Sequence, residues 1–297
     1  MVSLVMPVWK PNRAWLTEAV RSALDEDDCE VELIVVDDGS PDPVADLLDG
    51  LEDRRLSVIR IPHGGVSAAR NAGIAAARGE AIRFVDADDV VEPGSTGRLL
   101  ELSRPDGAIA YAETLVCDDG LRPEKSVGAT VEGEALEACL LGGFFVYITG
   151  MLFPRAVIQA AGEFDTEFDA NGDYDYVLRA LEHAPVRGGA FPASRYRRHE
   201  DSVTGRQDAG DVRSGRALEK LFERRPDLKG TRLERKARAH FHIGAARRMT
   251  HAGRLGSSAG HLISAVRLAP RSSAPDAFAL LRAFPRRFVR RLLDARR

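Results

Sequence analysis

Val31-Glu32-Leu33-Ile34-Val35-Val36-Asp37-Asp38-Gly39-Ser40-Pro41-Asp42 passes from an apolar run directly into two carboxylates and turn chemistry. A short run rich in β-branched residues reads as a strand buried on both faces. Gly, Ser, Pro and Asp then stop it, because they favour turn geometries and local side-chain to backbone bonds. The same grammar extends outward in both directions. Upstream, Val2 to Val8 reads as a strand, and Arg13 to Leu24 carries apolar residues at helical spacing. Downstream follow a helix over Val44 to Leu51, a strand over Leu56 to Ile61, and an alanine-rich helix over Ala68 to Ala77 that Gly79 ends. A fourth strand, Ala81 to Val85, runs into Asp86-Ala87-Asp88-Asp89. Strands alternating with helices predict an α/β fold, a mostly parallel sheet with helices on both faces. Such sheets bind ligands at the carboxyl ends of their strands, so Asp38 and Asp86 should face one crevice.

Past Pro105 the pattern weakens to short strands, with a helix near Glu132 to Leu141 and an apolar segment Gly142 to Gly150 that reads as a buried strand. Helices are predicted over Arg155 to Ala161 and Asp173 to Glu182. After about Gly205 the composition shifts to Arg, Ala and Leu with helical periodicity and no strand. An antiparallel helix pair is expected over Ala237 to Met249 and Ser258 to Leu268, so a boundary is drawn near residue 206.

With 297 residues, 44% of them hydrophobic, the chain is long enough for a large domain and a smaller appendage. A net charge of -3 argues against nucleic-acid binding by the whole chain. Cys29, Cys117 and Cys139 lie far apart without metal-ligand spacing, which fits buried thiols in a reducing compartment. Val2 to Trp9 lacks the basic start and small-residue cleavage site of a signal peptide, and Phe144 to Phe153 is too short to span a bilayer. A cytoplasmic protein is expected.

Asp86 and Asp88 are the residues with the most chemistry to explain. Two carboxylates one residue apart at the end of a buried strand are costly unless a cation compensates. A hard divalent ion, manganese or magnesium, would suit them and keep positions open for phosphate oxygens. Taken alone, the pair reads equally as a turn with solvated acids. A phospho-acceptor receiver domain does not fit, since the acidic pair follows the second strand and no suitable Lys follows a later one. No glycine-rich phosphate loop follows any strand, which excludes a dinucleotide-binding dehydrogenase and a sugar nucleotidyltransferase.

Val5-Met6-Pro7-Val8-Trp9, Val35 to Ser40, Ala69-Arg70-Asn71-Ala72-Gly73 and Phe84 to Asp89 come in an order and spacing that resembles the donor-binding half of family 2 glycosyltransferases of the GT-A fold. The resemblance continues through Gly162-Glu163-Phe164-Asp165 and Gly172 to Arg179, and ends at Tyr196 to Val203. It covers about two-thirds of the chain. It implies a GT-A-like domain over residues 1–206, with a donor half to about 104 and an acceptor half after it, followed by a helical extension over 207–297; Gly142 to Gly150, read above as a buried strand, would in the family arrangement form part of the acceptor wall.

The implied activity is inverting transfer of a sugar from a nucleotide-sugar donor, a UDP-sugar first among them, to a hydroxyl on a saccharide, lipid-linked or small-molecule acceptor. Pro7, Val8 and Trp9 would line the nucleoside pocket, and Asp38 would accept a hydrogen bond from the base or ribose. Arg70 would lie beside the ribose or phosphates, and otherwise simply pairs with a nearby acid. Asp86 would hold the ribose or a metal-bound water. Asp88 and His199 would meet the metal, and Asp173 would be the general base, with Asp175 its rival. Asp37 is expected to be structural. Family members usually carry Glu where this chain has Gly172. That departure keeps open a catalytically silent nucleotide-sugar-binding or scaffold protein on the same fold.

Ala277, Leu281, Phe284, Phe288 and Leu292 share a helical face, with Arg282, Arg286, Arg290 and Arg297 elsewhere on the helix and Pro285 interrupting it. Two readings stand. The helix makes peripheral contact with an anionic inner membrane surface, or its stripe packs on the preceding helices and the arginines are solvated.

Overall fold

A computed structural model describes residues 1–128, 130–145, 147–168, 172–199 and 207–282, with backbone alone for 207–213. In chain order the strands are β1 (Val2–Val8), β2 (Val31–Asp37), β3 (Leu56–Arg60), β4 (Ala81–Phe84), β5 (Val90–Val91), β6 (Ile109–Cys117), β7 (Pro123–Val127), β8 (Met151–Pro154) and β9 (Val186–Arg197). The helices are α1 (Arg13–Leu24), α2 (Val44–Leu47), α3 (Val66–Ala76), α4 (Ser95–Ser103), α5 (Leu136–Leu140), α6 (Arg155–Ala161), α7 (Gly172–Ala180), α8 (Gln207–Arg224), α9 (Arg232–His251), α10 (Leu255–Leu268) and α11 (Pro270–Leu281). Two compact units result, Met1–Cys139 with Gly143–Arg206, and Leu140–Gly142 with Gln207–Arg297.

The first unit is a sheet in the order β3-β2-β1-β4-β8-β6-β9-β5, with β7 beside β6. β3, β2, β1 and β4 are parallel, as the strand-helix alternation demands. β8 joins antiparallel to β4 and β6, and β9 runs parallel to β6 and antiparallel to β5. The sheet is thus parallel where it carries the first four motifs and mixed beyond them. Every residue of β1 and β2 is buried, which explains their unbroken apolar reading. Asn12 caps α1, its side-chain oxygen accepting from the backbone N–H of Ala14 at 2.9 Å and Trp15 at 3.2 Å.

Two local expectations are corrected. The helix read over Glu132 to Leu141 is a short turn of helix, α5. The buried strand read over Gly142 to Gly150 is not there among the described residues: Ile148–Gly150 is a 3-10 turn, and the strand begins at Met151. Phe144 is buried while Phe145 is 59% exposed, so the apolar run hides a surface loop.

Arg83 sits fully buried in β4 among apolar neighbours. Its guanidinium donates to Ser95 Oγ (2.9 Å), Thr96 Oγ1 (2.7 Å), Ala193 O (2.6 Å) and Thr149 O (3.2 Å), with Glu26 at 3.9 Å. Burial lowers its pKa to about 10, against the pull of Glu26. A buried charge survives only with such partners, and here they bind β4 to α4, β9 and the 3-10 turn.

The second unit is helical, with α9, α10 and α11 packed around Ala239, Ile243, Ala246, Leu262, Ala265 and Ala277. No helix among the described residues is long and apolar enough to cross a membrane. Residues 283–297, which carry Phe284, Phe288, Leu292 and most of the terminal arginines, lie outside the described residues, as does 200–206 with the end of the Tyr196 to Val203 motif.

Candidate active site

The carboxyl ends of β1, β2 and β4 open on one edge, and the segments quoted above meet there. Asp37 accepts from Ser40 N (2.8 Å), Val44 N (3.2 Å) and the Arg60 guanidinium (3.0 Å), so it folds the turn after β2. Asp38 is buried, and its carboxylate accepts from Gly64 N (2.8 Å), Gly65 N (2.9 Å) and His63 Nδ1 (2.8 Å). The loop from His63 to Gly65 therefore hangs on Asp38. Gly39, at φ 70°, lies where a Cβ would come within 2.8 Å of the His63 backbone nitrogen. A left-handed backbone and the close loop both demand glycine there.

Pro7 and Val8 are buried at the end of β1, and Val8 O accepts from Asp38 N at 2.8 Å. Trp9 projects from that edge, 49% exposed. Its ring stacks on His63, with centroids 4.7 Å apart and planes 15° apart, and Lys10 Nζ lies 4.4 Å over it. His63 escaped the sequence reading because nothing local links it to Trp9 or Asp38.

Three of the five positions in the Ala69 to Gly73 motif have a physical reason in the structure. Arg70 is buried and donates to Asp86 Oδ1 at 3.1 Å, the acid pairing weighed as its plain alternative. The guanidinium lies 5.3 Å from the Phe164 ring. Asn71 clamps the backbone of Phe164, donating to its carbonyl (2.9 Å) and accepting from its N–H (2.7 Å). Phe164 in turn stacks on Tyr176 of α7 at 3.8 Å. A Cβ at Gly73 would overlap Val5 Cγ1, so glycine lets α3 lie against β1.

Asp86, Asp88 and Asp89 occupy the turn after β4. Surrounding protein pushes the Asp86 carboxyl upward; Arg70 opposes this, and the charges of Asp88 and Asp173 add to it. Asp173, in the first turn of α7, therefore acts electrostatically on this group of acids. Asp175 is buried and accepts from Arg179 Nε at 2.9 Å within the same helix. A Cβ at Gly172 would lie 2.8 Å from Ser67 Oγ, which itself donates to Phe168 O at 2.9 Å. α7 therefore starts close against Ser67 of α3.

His199 Nε2 lies 2.8 Å from Asp88 Oδ2. Arg197, two residues earlier, donates its backbone N–H to Asp89 Oδ1 (3.0 Å) and its Nε–H to Asp88 O (2.9 Å). Its guanidinium also reaches Glu18 Oε2 (2.6 Å) and the Asp119 carbonyl. Burial pushes the Asp89 carboxyl well up, helped by Asp88 and Asp86. Arg197 and Asp89 so fasten β9 to the acid turn. Neither stood out in the sequence, since both partners are remote in the chain.

Asp88 offers the carboxylate oxygen that a hard divalent ion prefers, and His199, hydrogen-bonded to it at 2.8 Å, would add one imidazole nitrogen. Among the described residues no group of three or more His, Cys, Asp or Glu could hold a metal. Two protein ligands completed by substrate phosphate oxygens are the usual provision for magnesium-like ions.

The profile described as Glycosyl transferase family 2 matches residues 3–158. The chain belongs to glycosyltransferase family 2. This family member is 27% identical over 232 residues to the putative glycosyltransferase EpsH of Bacillus subtilis, covering 73% of the chain and 66% of the relative. It is 39% identical over 101 residues to the succinoglycan biosynthesis protein ExoO of Rhizobium meliloti, covering 34% and 29%. The chain spans between 21% and 66% of the length of the first curated relatives it matches. Residues 1–349 of S. aureus TarS, solved with UDP-GlcNAc, match with a TM-score of 0.59 at 14% identity, covering 90% of this chain and 91% of that one. The GT-A-like fold expected from the motifs is the fold of this family member.

Proposed function

We propose that this chain transfers a sugar from a nucleotide-sugar donor to an acceptor hydroxyl with inversion at the anomeric carbon. The observation that carries the reading is the convergence of Asp86, Asp88, Asp173, Arg70 and His199, drawn from four separate segments, at the carboxyl edge of the parallel strands. The UDP-GlcNAc bound by TarS on the same fold favours a UDP-sugar as donor. The succinoglycan role printed for ExoO favours work on a polysaccharide.

Trp9, beside Pro7 and Val8, offers the base a flat apolar face, and Asp38 keeps that wall in place through its bonds to the His63 to Gly65 loop. Arg70 brings a buried guanidinium to anionic oxygens, with Asp86 holding it in position on the ribose side. Asp88 and His199 would hold manganese or magnesium; when bound, such an ion neutralises charge growing on the leaving diphosphate. Asp173 takes the proton from the acceptor hydroxyl as that oxygen attacks the anomeric carbon and the bond to the diphosphate breaks. The alternative of a catalytically silent scaffold is judged by transfer itself, since the contact of Gly172 with Ser67 bears on the start of α7 and not on turnover.

The test is donor binding and slow hydrolysis across a panel of nucleotide sugars, with manganese and with chelator, on wild type and Asp88→Ala. Metal-dependent binding of one donor, lost in the variant, is the expected result. A folded wild type that binds no donor overturns the transferase reading. Binding that never leads to transfer with any acceptor restores the scaffold.

A further inference from the structure

Charge is divided sharply between the two units. Gln207–Arg297 holds 22 Arg or Lys against 8 Asp or Glu, a formal +14, while the rest of the chain holds 20 against 37, a formal -17. A helical unit this basic attracts an anionic partner. Helix α11 adds an apolar feature to that attraction.

α11 has two faces. Ser273 and Ala277 are buried, and Leu280 and Leu281 pack half-buried against the core shared with α9 and α10. Ala277 and Leu281, the described members of the apolar stripe read in the sequence, therefore turn inward. The other face is open: Arg271, Ala274, Pro275, Phe278, Ala279 and Arg282 are all exposed. Steps of four, three and four residues set Arg271, Pro275, Phe278 and Arg282 in one row along the helix. Phe278 is 68% exposed, more than Trp9 or Phe145. The row has an apolar centre and an arginine at each end, with no acid on it. The carboxylate of α11, Asp276, pairs instead with Arg247 of α9 at 2.6 Å.

An anionic bilayer surface answers both halves of this face. Arginine stems can lie along apolar surface while their guanidinium groups reach lipid phosphates, and an aromatic ring between them enters the headgroup boundary. A nucleic acid would engage the arginines but gives Ala274, Pro275 and Ala279 no hydrocarbon to meet.

We propose that the exposed face of α11 docks on a bilayer containing anionic phospholipid, with Phe278 entering the headgroup boundary between Arg271 and Arg282. The inference stands apart from the transferase reading, since none of these residues belongs to the candidate active site.

The test is sedimentation of the full chain with vesicles of phosphatidylcholine alone and of phosphatidylcholine mixed with phosphatidylglycerol. Binding to the mixed vesicles alone, weakening as salt is raised, is the expected result. The double variant Arg271→Gln/Arg282→Gln should bind about 25-fold more weakly, about fivefold for each arginine near the surface. Phe278→Ala should lose about tenfold through its missing apolar contact. Phe278→Trp should bind like wild type, and brominated lipid should quench its fluorescence beyond that of Trp9 and Trp15 in wild type. All three positions are exposed, so equal melting temperatures would separate lost docking from lost folding. Wild type that binds neither vesicle, or both equally, overturns the proposal. So does anionic binding that both sets of variants leave unchanged, which would assign it to another basic surface. Self-association in sedimentation velocity, abolished by Phe278→Ala and without vesicle binding, would give the face to a second copy of the chain. Binding of single-stranded RNA in place of vesicles would give it to nucleic acid, and either outcome overturns the bilayer.

Discussion

The Asp88 carboxylate and the His199 imidazole meet at 2.8 Å although 111 residues separate them in the chain. If this pair holds the ion beneath a diphosphate, removing either partner should weaken manganese binding in the presence of nucleotide diphosphate. Asp88→Asn and His199→Ala are each expected to lower donor hydrolysis on the order of a hundredfold, the scale of a lost electrostatic contact to developing charge. Calorimetric titration of manganese with UDP present reads the binding directly. Unchanged manganese affinity in both variants would assign the pair to folding alone.

Arg197 should matter to the same site without touching substrate. Its fork reaches Asp88 O, Glu18 and Asp119 O at once, which a lysine ammonium on a flexible stem cannot reproduce. Arg197→Lys is expected to raise the apparent KM for donor about tenfold, the scale of a lost charge-assisted bond, with a smaller change in kcat. An unaltered KM alongside a lowered melting temperature would show that the residue only holds β9 in place.

Gly73 tests the close approach of α3 to β1. A methyl there would overlap Val5 Cγ1, so Gly73→Ala should destabilise by about 1–3 kcal/mol, the usual cost of overpacking. Val5→Ala creates room, so the double variant should recover part of the loss when the two are compared in a urea-unfolding cycle. Additive losses would mean that the strain is relieved elsewhere.

These residues also show where sequence reading reaches and where it stops. The alternation from Val2 to Asp89 was legible because burial on both faces writes itself locally as apolar runs closed by turn residues. The motif residues Asp38, Arg70, Asp86, Asp88, Asp173 and His199 were legible as a set through their order. Their partners were not. His63 under Trp9, Arg197 under Asp88 and Arg83 across to Ala193 are long-range contacts, and nothing near each residue announces the other half. Phe144 to Gly150 misled for the opposite reason, since an apolar loop with one aromatic face exposed looks locally like a strand.

The helical unit should be acid-sensitive. His242 Nδ1 and His261 Nδ1 lie 2.9 Å apart across α9 and α10, so one must donate and the other accept. Burial pushes the His242 pKa down, and the neighbouring His261 and Arg238 push the same way. A histidine whose folded pKa is depressed resists a proton that the unfolded chain accepts, so stability is held above the unfolded value of about 6.5 and falls as pH drops below it. His240 is depressed too, chiefly by burial, and adds to the trend. Melting temperature, followed by circular dichroism from pH 8 to pH 5, should therefore decline through the lower half of that range. Replacing both His242 and His261 with Asn, which can keep a neutral hydrogen bond, should remove much of the decline. An equally steep decline in the double variant would shift the cause to His240 or to acids elsewhere in the chain.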